Sequence, residues 1–117
     1  MTERQWLTHD GRAVEVIMGS WVARLLGMGH LNYGVTLSAR RIHLKEPWYT
    51  RGQIAHEWGH TRQAEARGWR YLPWVVWGYL THGYANSPAE RDADAYMNAN
   101  RAAFSEYGPI PSYILRD

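Results

Sequence analysis

The five residues HEWGH at positions 56–60 constrain the fold of this chain more than any other segment. Two histidines four residues apart lie one turn apart on the same face of an α-helix, so in a helix both imidazoles can reach a single ion. A shuffled chain of this composition would contain about 0.02 such H-E-x-x-H patterns. We therefore expect a helix here, with His56 and His60 as metal ligands; the alternative is two ordinary histidines on an amphipathic helix.

Two helix start signals support this expectation. Thr50 and Gln53 have the spacing of a capping box, and Gly68 is a plausible C-terminal cap, which predicts a helix from Thr50 to Gly68. The segment 87–90, Ser-Pro-Ala-Glu, has the same form with proline at the first helical position. It predicts a second helix over residues 88 to about 104.

The remaining segments predict an α+β domain that is mostly helical. Apolar residues at spacings of three and four indicate an amphipathic first helix over residues 13–27. Residues 35–44 are rich in β-forming types and predict one or two short strands with a turn or bulge near Arg40 and Arg41. After Pro73, residues 74–80 predict a short buried helix; the alternative is that this apolar helix forms an interaction face. We expect residues 1–117 to form one compact domain in which a short β-sheet or hairpin packs beside the HEWGH helix.

Composition limits the chemistry available to the chain. It has no cysteine, which excludes disulfides, thiolate zinc fingers, iron-sulfur clusters and cysteine nucleophiles, so any metal must be held by histidine and carboxylate. The formal charge is +2 and the arginines are dispersed, so no nucleic-acid partner is expected. Neither a signal peptide nor a membrane span is recognisable, which predicts a cytoplasmic protein.

A catalytic zinc site requires a third protein ligand, and the sequence offers four candidates downstream: His82, Glu90, Asp92 and Asp94. Glu90 is favoured because its helix can pack across the first one. Asp94, four residues later on the same face, would accept the free ring N–H of one histidine. Alternatively, Glu90 only caps its own helix and His82 is the third ligand. Glu57 would lie beside a metal-bound water, in the position of a general base.

The HEWGH segment followed by Glu90-Arg91-Asp92-Ala93-Asp94 resembles the gluzincin pattern, and the small size is most similar to minigluzincins. The likeness extends from about Gly34 to Met97 and includes Gln63. It implies a zincin-like domain that holds Zn²⁺ through His56, His60 and Glu90. It also implies that the strand near residues 35–44 pairs with an extended substrate.

The resemblance implies a zinc-dependent peptidase that acts on a peptide or protein substrate, with Glu57 as general base. Candidates for an oxyanion-stabilising or substrate-binding group are His82, Tyr84 and Tyr107. The alternative is a catalytically weak or inactive zinc-binding module for peptide interaction or assembly. The sequence leaves the oligomeric state open.

Overall fold

A four-stranded sheet lies against one long helix, and further helices pack on the other side of that helix. The computed structural model describes residues 2–27, 33–112 and 114. The expected α+β class is confirmed. The described elements, in chain order, are β1 (Glu3–His9), β2 (Arg12–Met18), α1 (Trp21–Leu26), β3 (Gly34–Ser38), β4 (Arg41–Leu44), α2 (Arg51–Arg67), α3 (Tyr71–His82) and α4 (Pro88–Asn100).

The strand order is β1-β2-β4-β3, with β3 at one edge. β1 and β2 form an antiparallel hairpin, β2 and β4 run parallel, and β3 and β4 form a second antiparallel hairpin. The register of the second hairpin shifts between Thr36 and Ser38, close to the turn or bulge that the sequence predicts near Arg40. Edge strand β3 lies directly beside α2, the helix that carries HEWGH.

The predicted first helix over residues 13–27 is wrong for its first half. Residues 12–18 form strand β2, and only Trp21–Leu26 is helical, with Ser20 as its N-cap. Val14, Val16 and Met18 alternate into the core and are fully buried. Because apolar residues also follow these positions at spacings of three and four, the pattern fitted both structures. Pairing of β2 with two neighbouring strands favours the extended conformation.

Both helix start signals are confirmed. Thr50 Oγ1 accepts a hydrogen bond from the backbone N–H of Gln53 at 3.1 Å, and Ser87 Oγ accepts one from that of Glu90 at 3.2 Å. Gly68 ends α2 with a positive φ of 58°, a conformation that glycine adopts without strain. α4 ends at Asn100, a little before the predicted end, and continues as a 3-10 turn.

The helix predicted after Pro73 is present but begins earlier, at Tyr71, and its predicted burial holds for one side only, because Val76, Trp77 and Leu80 are exposed. Its buried residues are Tyr71, Val75 and Gly78. Gly78 lies against Ser87 and Pro88, at the start of α4. The opposite side of α3 contacts none of the described elements closely enough to be covered, so several large apolar side chains there are exposed.

The core lies between the sheet and α2. Its buried members from the sheet are Val14, Val16, Met18, Ile42 and Leu44, and those from the rest of the chain are Tyr49, Ile54, Ala55, Trp58 and Phe104. Each large side chain of this kind stabilises the fold by about 1.5–3 kcal/mol on burial. None of the helices within the described ranges combines the length and apolarity needed to cross a bilayer.

The helices α2 and α4 cross with little space between their backbones. A Cβ atom added at Gly59 would lie 3.1 Å from Ala93 Cα and 3.2 Å from Tyr96 Cβ. Gly59 lies within HEWGH, and Ala93 is about one turn after Glu90. The close crossing therefore brings the histidine face of α2 against the first turns of α4.

Candidate metal centre

Three potential ligands converge where α2 and α4 cross. Glu90 Oε1 lies 3.0 Å from His56 Nε2, and Glu90 Oε2 lies 3.0 Å from His60 Nε2. One donor atom from each residue falls within 4.8 Å of the others. The two imidazole rings meet edge to face, with centroids 4.9 Å apart. The structure thus brings together the three residues that the sequence predicts as ligands.

The carboxylate of Glu90 does not cap its own helix. In a capping box it would accept the backbone N–H of Ser87. Here that N–H instead donates to the backbone oxygen of Tyr84, at 3.3 Å. The carboxylate is buried and accepts a third hydrogen bond, from the Tyr79 hydroxyl, at 2.9 Å. Its position therefore fits the ligand interpretation rather than the capping one.

Each histidine directs its second ring nitrogen to another acceptor. His56 Nδ1 lies 2.8 Å from Asp94 Oδ1, the partner that the sequence predicts for a ligand histidine. His60 Nδ1 lies 2.9 Å from Gln63 Oε1. Hydrogen bonds of this type fix the ring orientation and leave Nε2 as the metal-binding atom.

Gln63 is a supporting residue whose role the sequence reasoning missed. Its amide nitrogen donates to Ala89 O at 2.9 Å and to Asp92 Oδ2 at 2.8 Å, which turns its amide oxygen towards His60. Asp92, a candidate ligand in the sequence, therefore lies behind Gln63. The spacing of three residues between His60 and Gln63 placed both on one helix face and could have indicated the contact.

The hydrogen bonds around Glu90 shift the pKa values of His56, His60 and Glu90 itself. Burial lowers the pKa of His60, but the hydrogen bond to Glu90 and the nearby carboxylate charges outweigh it and raise this pKa to about 9. The same balance raises the pKa of His56. Burial alone would raise the pKa of Glu90, yet its bonds to the two imidazoles hold it far below the usual range. Without a metal, positive charge on the imidazoles thus compensates the buried carboxylate.

The donor set fits a divalent metal ion. Two imidazole nitrogens and one carboxylate are the ligands of one well-known type of catalytic zinc site. In such sites the ligand histidines also donate their second ring N–H to an acceptor, as His56 and His60 do here. Nitrogen and oxygen donors also suit other first-row metals, so the set is not specific for zinc. His60 and Glu90 also line a cavity of about 310 Å³, which offers space for water next to the donor set.

Glu57 lines the same cavity but does not belong to the donor group. Its Oε1 accepts a hydrogen bond from the hydroxyl of Thr36 on β3, at 2.8 Å. The backbone oxygen of Thr36 in turn accepts one from Tyr71, at 3.0 Å. A Cβ atom at Gly34 would lie 3.2 Å from Glu57 Oε2, so glycine gives this carboxylate its space. The contact with Thr36 joins two distant segments, and no local pattern indicated it.

The three candidates for an oxyanion-stabilising group occupy different places. Tyr84 borders the cavity and is 60% exposed, and its hydroxyl keeps its proton at neutral pH because the ordinary pKa of tyrosine is about 10. His82 is exposed at the end of α3, within 2.8 Å of Thr81 Oγ1, and belongs neither to the donor group nor to the cavity lining. Tyr107 stacks on Tyr49, away from the site.

No protein-family model, curated protein or solved structure matches the chain.

Proposed function

We propose that this chain is a zinc-dependent peptidase of the gluzincin type. The observation that supports the proposal most strongly is the group His56, His60 and Glu90, with Glu57 beside it on one cavity wall. The imidazoles of His56 and His60 and the carboxylate of Glu90 would hold the ion, and the separate carboxylate of Glu57 remains available for proton transfer. This division of roles is what metal-assisted hydrolysis requires.

When bound, the zinc ion supplies Lewis acidity, which polarises a carbonyl and lowers the pKa of a coordinated water. Asp94 and Gln63 accept the Nδ1–H groups of His56 and His60 and so fix both rings with Nε2 available as the atom that would bind the ion. Tyr79 donates to one oxygen of Glu90 and fixes the orientation of that carboxylate.

Glu57 acts as the general base. Its Oε1 is held by Thr36, so Oε2 takes a proton from the attacking water and later returns it to the leaving amine. Tyr84, whose hydroxyl stays protonated, donates to the developing oxyanion. Thr36 and Tyr71 hold the base in position from the side of the sheet.

The substrate is a peptide or protein segment bound in extended form. β3 is an edge strand, and residues 34–37 line the cavity next to Glu57. An edge strand offers unpaired backbone groups to which an extended peptide can add as a further strand. The apolar part of the cavity, which includes Val35, Leu72 and Val75, can hold an apolar side chain of that peptide. The cytoplasmic location stays a prediction from the sequence.

A second candidate function is a zinc-binding module with weak or no catalysis that binds peptides or serves assembly. The observation in its favour is the set of exposed apolar side chains on α3, among them Val76, Trp77 and Leu80. Such surfaces mark interaction sites on proteins of this size.

The test combines metal analysis of the purified chain with digestion of an unbiased peptide library. We expect Glu57→Gln to retain one zinc and the fold, because the glutamine oxygen can still accept from Thr36. Hydrolysis should fall by about 10²–10⁴-fold, the usual effect of losing a general base. Glu65→Gln, on an exposed part of the same helix, is the matched control and should remain active.

Two results would contradict the peptidase proposal. Equal cleavage rates of Glu57→Gln and the unaltered chain would exclude the proposed base. Stoichiometric zinc without cleavage of any peptide in the library would favour the binding module instead.

A further inference from the structure

The outer side of α3 carries an exposed apolar stripe. Leu72, Val76 and Leu80 follow each other at intervals of four residues, Trp77 lies beside them on α3, and the exposed Trp69 lies in the 3-10 turn just before α3. Trp77 is 67% and Leu80 is 78% exposed, although both are among the least soluble side chains. The opposite side of α3 contributes to the interior, so the helix is apolar all round. We refer to these five residues as the apolar stripe.

Helix α1 extends this surface on the other side of the cavity. Trp21, Leu25 and Leu26 are more than half exposed. Leu26 lines the same cavity as Leu72 and Val76, so the two apolar helices border a common opening. Part of the exposed apolar surface therefore borders the cavity that contains the candidate metal centre, through Leu26 on α1 and Leu72 and Val76 on α3.

The segments that supply the helices of this face carry no acidic side chain, and the carboxylates of Glu57 and Glu90 line the cavity between them. Residues 16–45 and 66–89, which supply α1, β3 and α3, contain no aspartate and no glutamate. They contain arginines, of which Arg24 lies on α1 and Arg67 and Arg70 precede α3. Arg67 stacks over Trp74 at 3.6 Å from the ring centroid, and Arg70 lies 5.6 Å from that of Trp69. Cations here accompany tryptophans at the margin of the apolar stripe.

We propose that the face formed by α1 and the apolar stripe docks onto an anionic lipid surface. Tryptophan and leucine side chains enter the boundary between headgroups and acyl chains, and arginines beside them attract anionic headgroups. A second copy of this chain fits less well, because self-pairing would oppose arginines of the same sign across the apolar contact. Docking does not depend on hydrolysis and goes beyond the proposed function. It would place the cavity entrance at the membrane surface.

The test measures binding of the full chain to vesicles by sedimentation and by tryptophan fluorescence. We compare phosphatidylcholine alone with phosphatidylcholine mixed with phosphatidylserine. Binding to the mixed vesicles should be stronger and should weaken as salt is added. The emission of the bound chain should shift to shorter wavelength, because exposed tryptophans leave water.

Matched variants locate the contact. The double variant Trp77→Ala with Leu80→Ala should bind mixed vesicles at least about tenfold more weakly, because two apolar side chains no longer enter the lipid. The control is Trp6→Ala on β1, which removes an equally exposed tryptophan (66%) from another element of the fold. Arg24→Gln with Arg70→Gln should reduce binding by about 10- to 30-fold at low salt.

Four outcomes would overturn the proposal. They are absence of binding to either vesicle, equal binding to both, an equal loss in Trp6→Ala and in the double variant, and self-association through the apolar stripe without vesicle binding. Circular dichroism of each variant shows whether the fold is kept, and the arginine pair provides a second probe should the double variant unfold. Peptide hydrolysis is measured separately, so its failure leaves this result unaffected.

Discussion

Gln63 provides a direct test of how the candidate site prepares His60 for metal. Gln63→Leu keeps much of the side-chain length but removes the acceptor of the His60 Nδ1–H and the donor to Asp92 and Ala89 O. His60 is only 5% exposed, so water cannot easily replace the lost acceptor. The imidazole then loses the contact that fixes its ring orientation and directs Nε2 towards the other two candidate ligands.

The expected loss can be derived from these contacts. Removing an outer hydrogen-bond partner of a ligand histidine typically weakens metal binding by 10- to 100-fold, or about 1.4–2.7 kcal/mol. The fold also loses stability, by about 1–3 kcal/mol, because a buried N–H remains without a partner. Both effects are small enough for the variant to remain folded at moderate temperature.

The assay is a competition between the folded protein and a chelator of known zinc affinity, accompanied by thermal unfolding of the metal-free protein. Gln63→Glu separates the two effects. Its carboxylate can still accept from His60, but its second oxygen would face Asp92 and Ala89 O, which also accept. We expect this variant to lose stability more than zinc affinity, and Gln63→Leu to lose both. An unchanged zinc affinity in Gln63→Leu would refute the proposed role of the amide.

Two further predictions concern the base and the protons of the site. Thr36→Val removes the hydroxyl that holds Glu57 Oε1. The kcat for a substrate from the peptide library should fall about 10- to 100-fold, with zinc content unchanged. An unaltered kcat would contradict the role of Thr36 in positioning Glu57. The pKa of His60 is about 9 in the metal-free fold, against about 6.5 in the unfolded chain. Protonated His60 therefore stabilises the fold fully below about pH 6.5, and this contribution is lost as the pH rises to 9. Zinc affinity should rise over the same interval by up to about tenfold per pH unit, because zinc displaces that proton. Calorimetry of zinc binding in buffers of different ionisation enthalpy measures the number of protons released. Zinc binding without proton release would contradict this account.

The parts of the fold that sequence could predict are those encoded by short-range chemistry. The capping residues Thr50 and Ser87 form their hydrogen bonds within three residues, so the starts of α2 and α4 were correct. Convergence of His56 and His60 follows from helix geometry alone. Glu90 could be predicted as a ligand because a zinc site requires a third protein ligand and few carboxylates lie downstream of HEWGH.

The failures have a common cause, since they depend on which surfaces meet in the folded chain. The apolar spacing before Trp21 suited a helix as well as a strand, and only pairing with neighbouring strands selected β2. Burial of residues 74–80 was inferred from hydrophobicity, but among the described residues the neighbours of α3 lie on one of its sides. Contacts of Thr36 with Glu57 and of Gln63 with Asp92 join residues that are 21 and 29 positions apart. A single sequence carries no signal for such pairs.

Because residue 59 is glycine, the distance between the histidines and Glu90 is set by how closely the backbones of α2 and α4 approach each other. Ala93 and Tyr96 already touch the place where its side chain would begin, so an added methyl group must push α4 away from α2. Glu90 would move with α4, while both imidazoles stay on α2. The size of a cation that this donor set could hold would therefore depend on helix separation, and adapting the site to a larger cation would begin at position 59 rather than among the three donor residues.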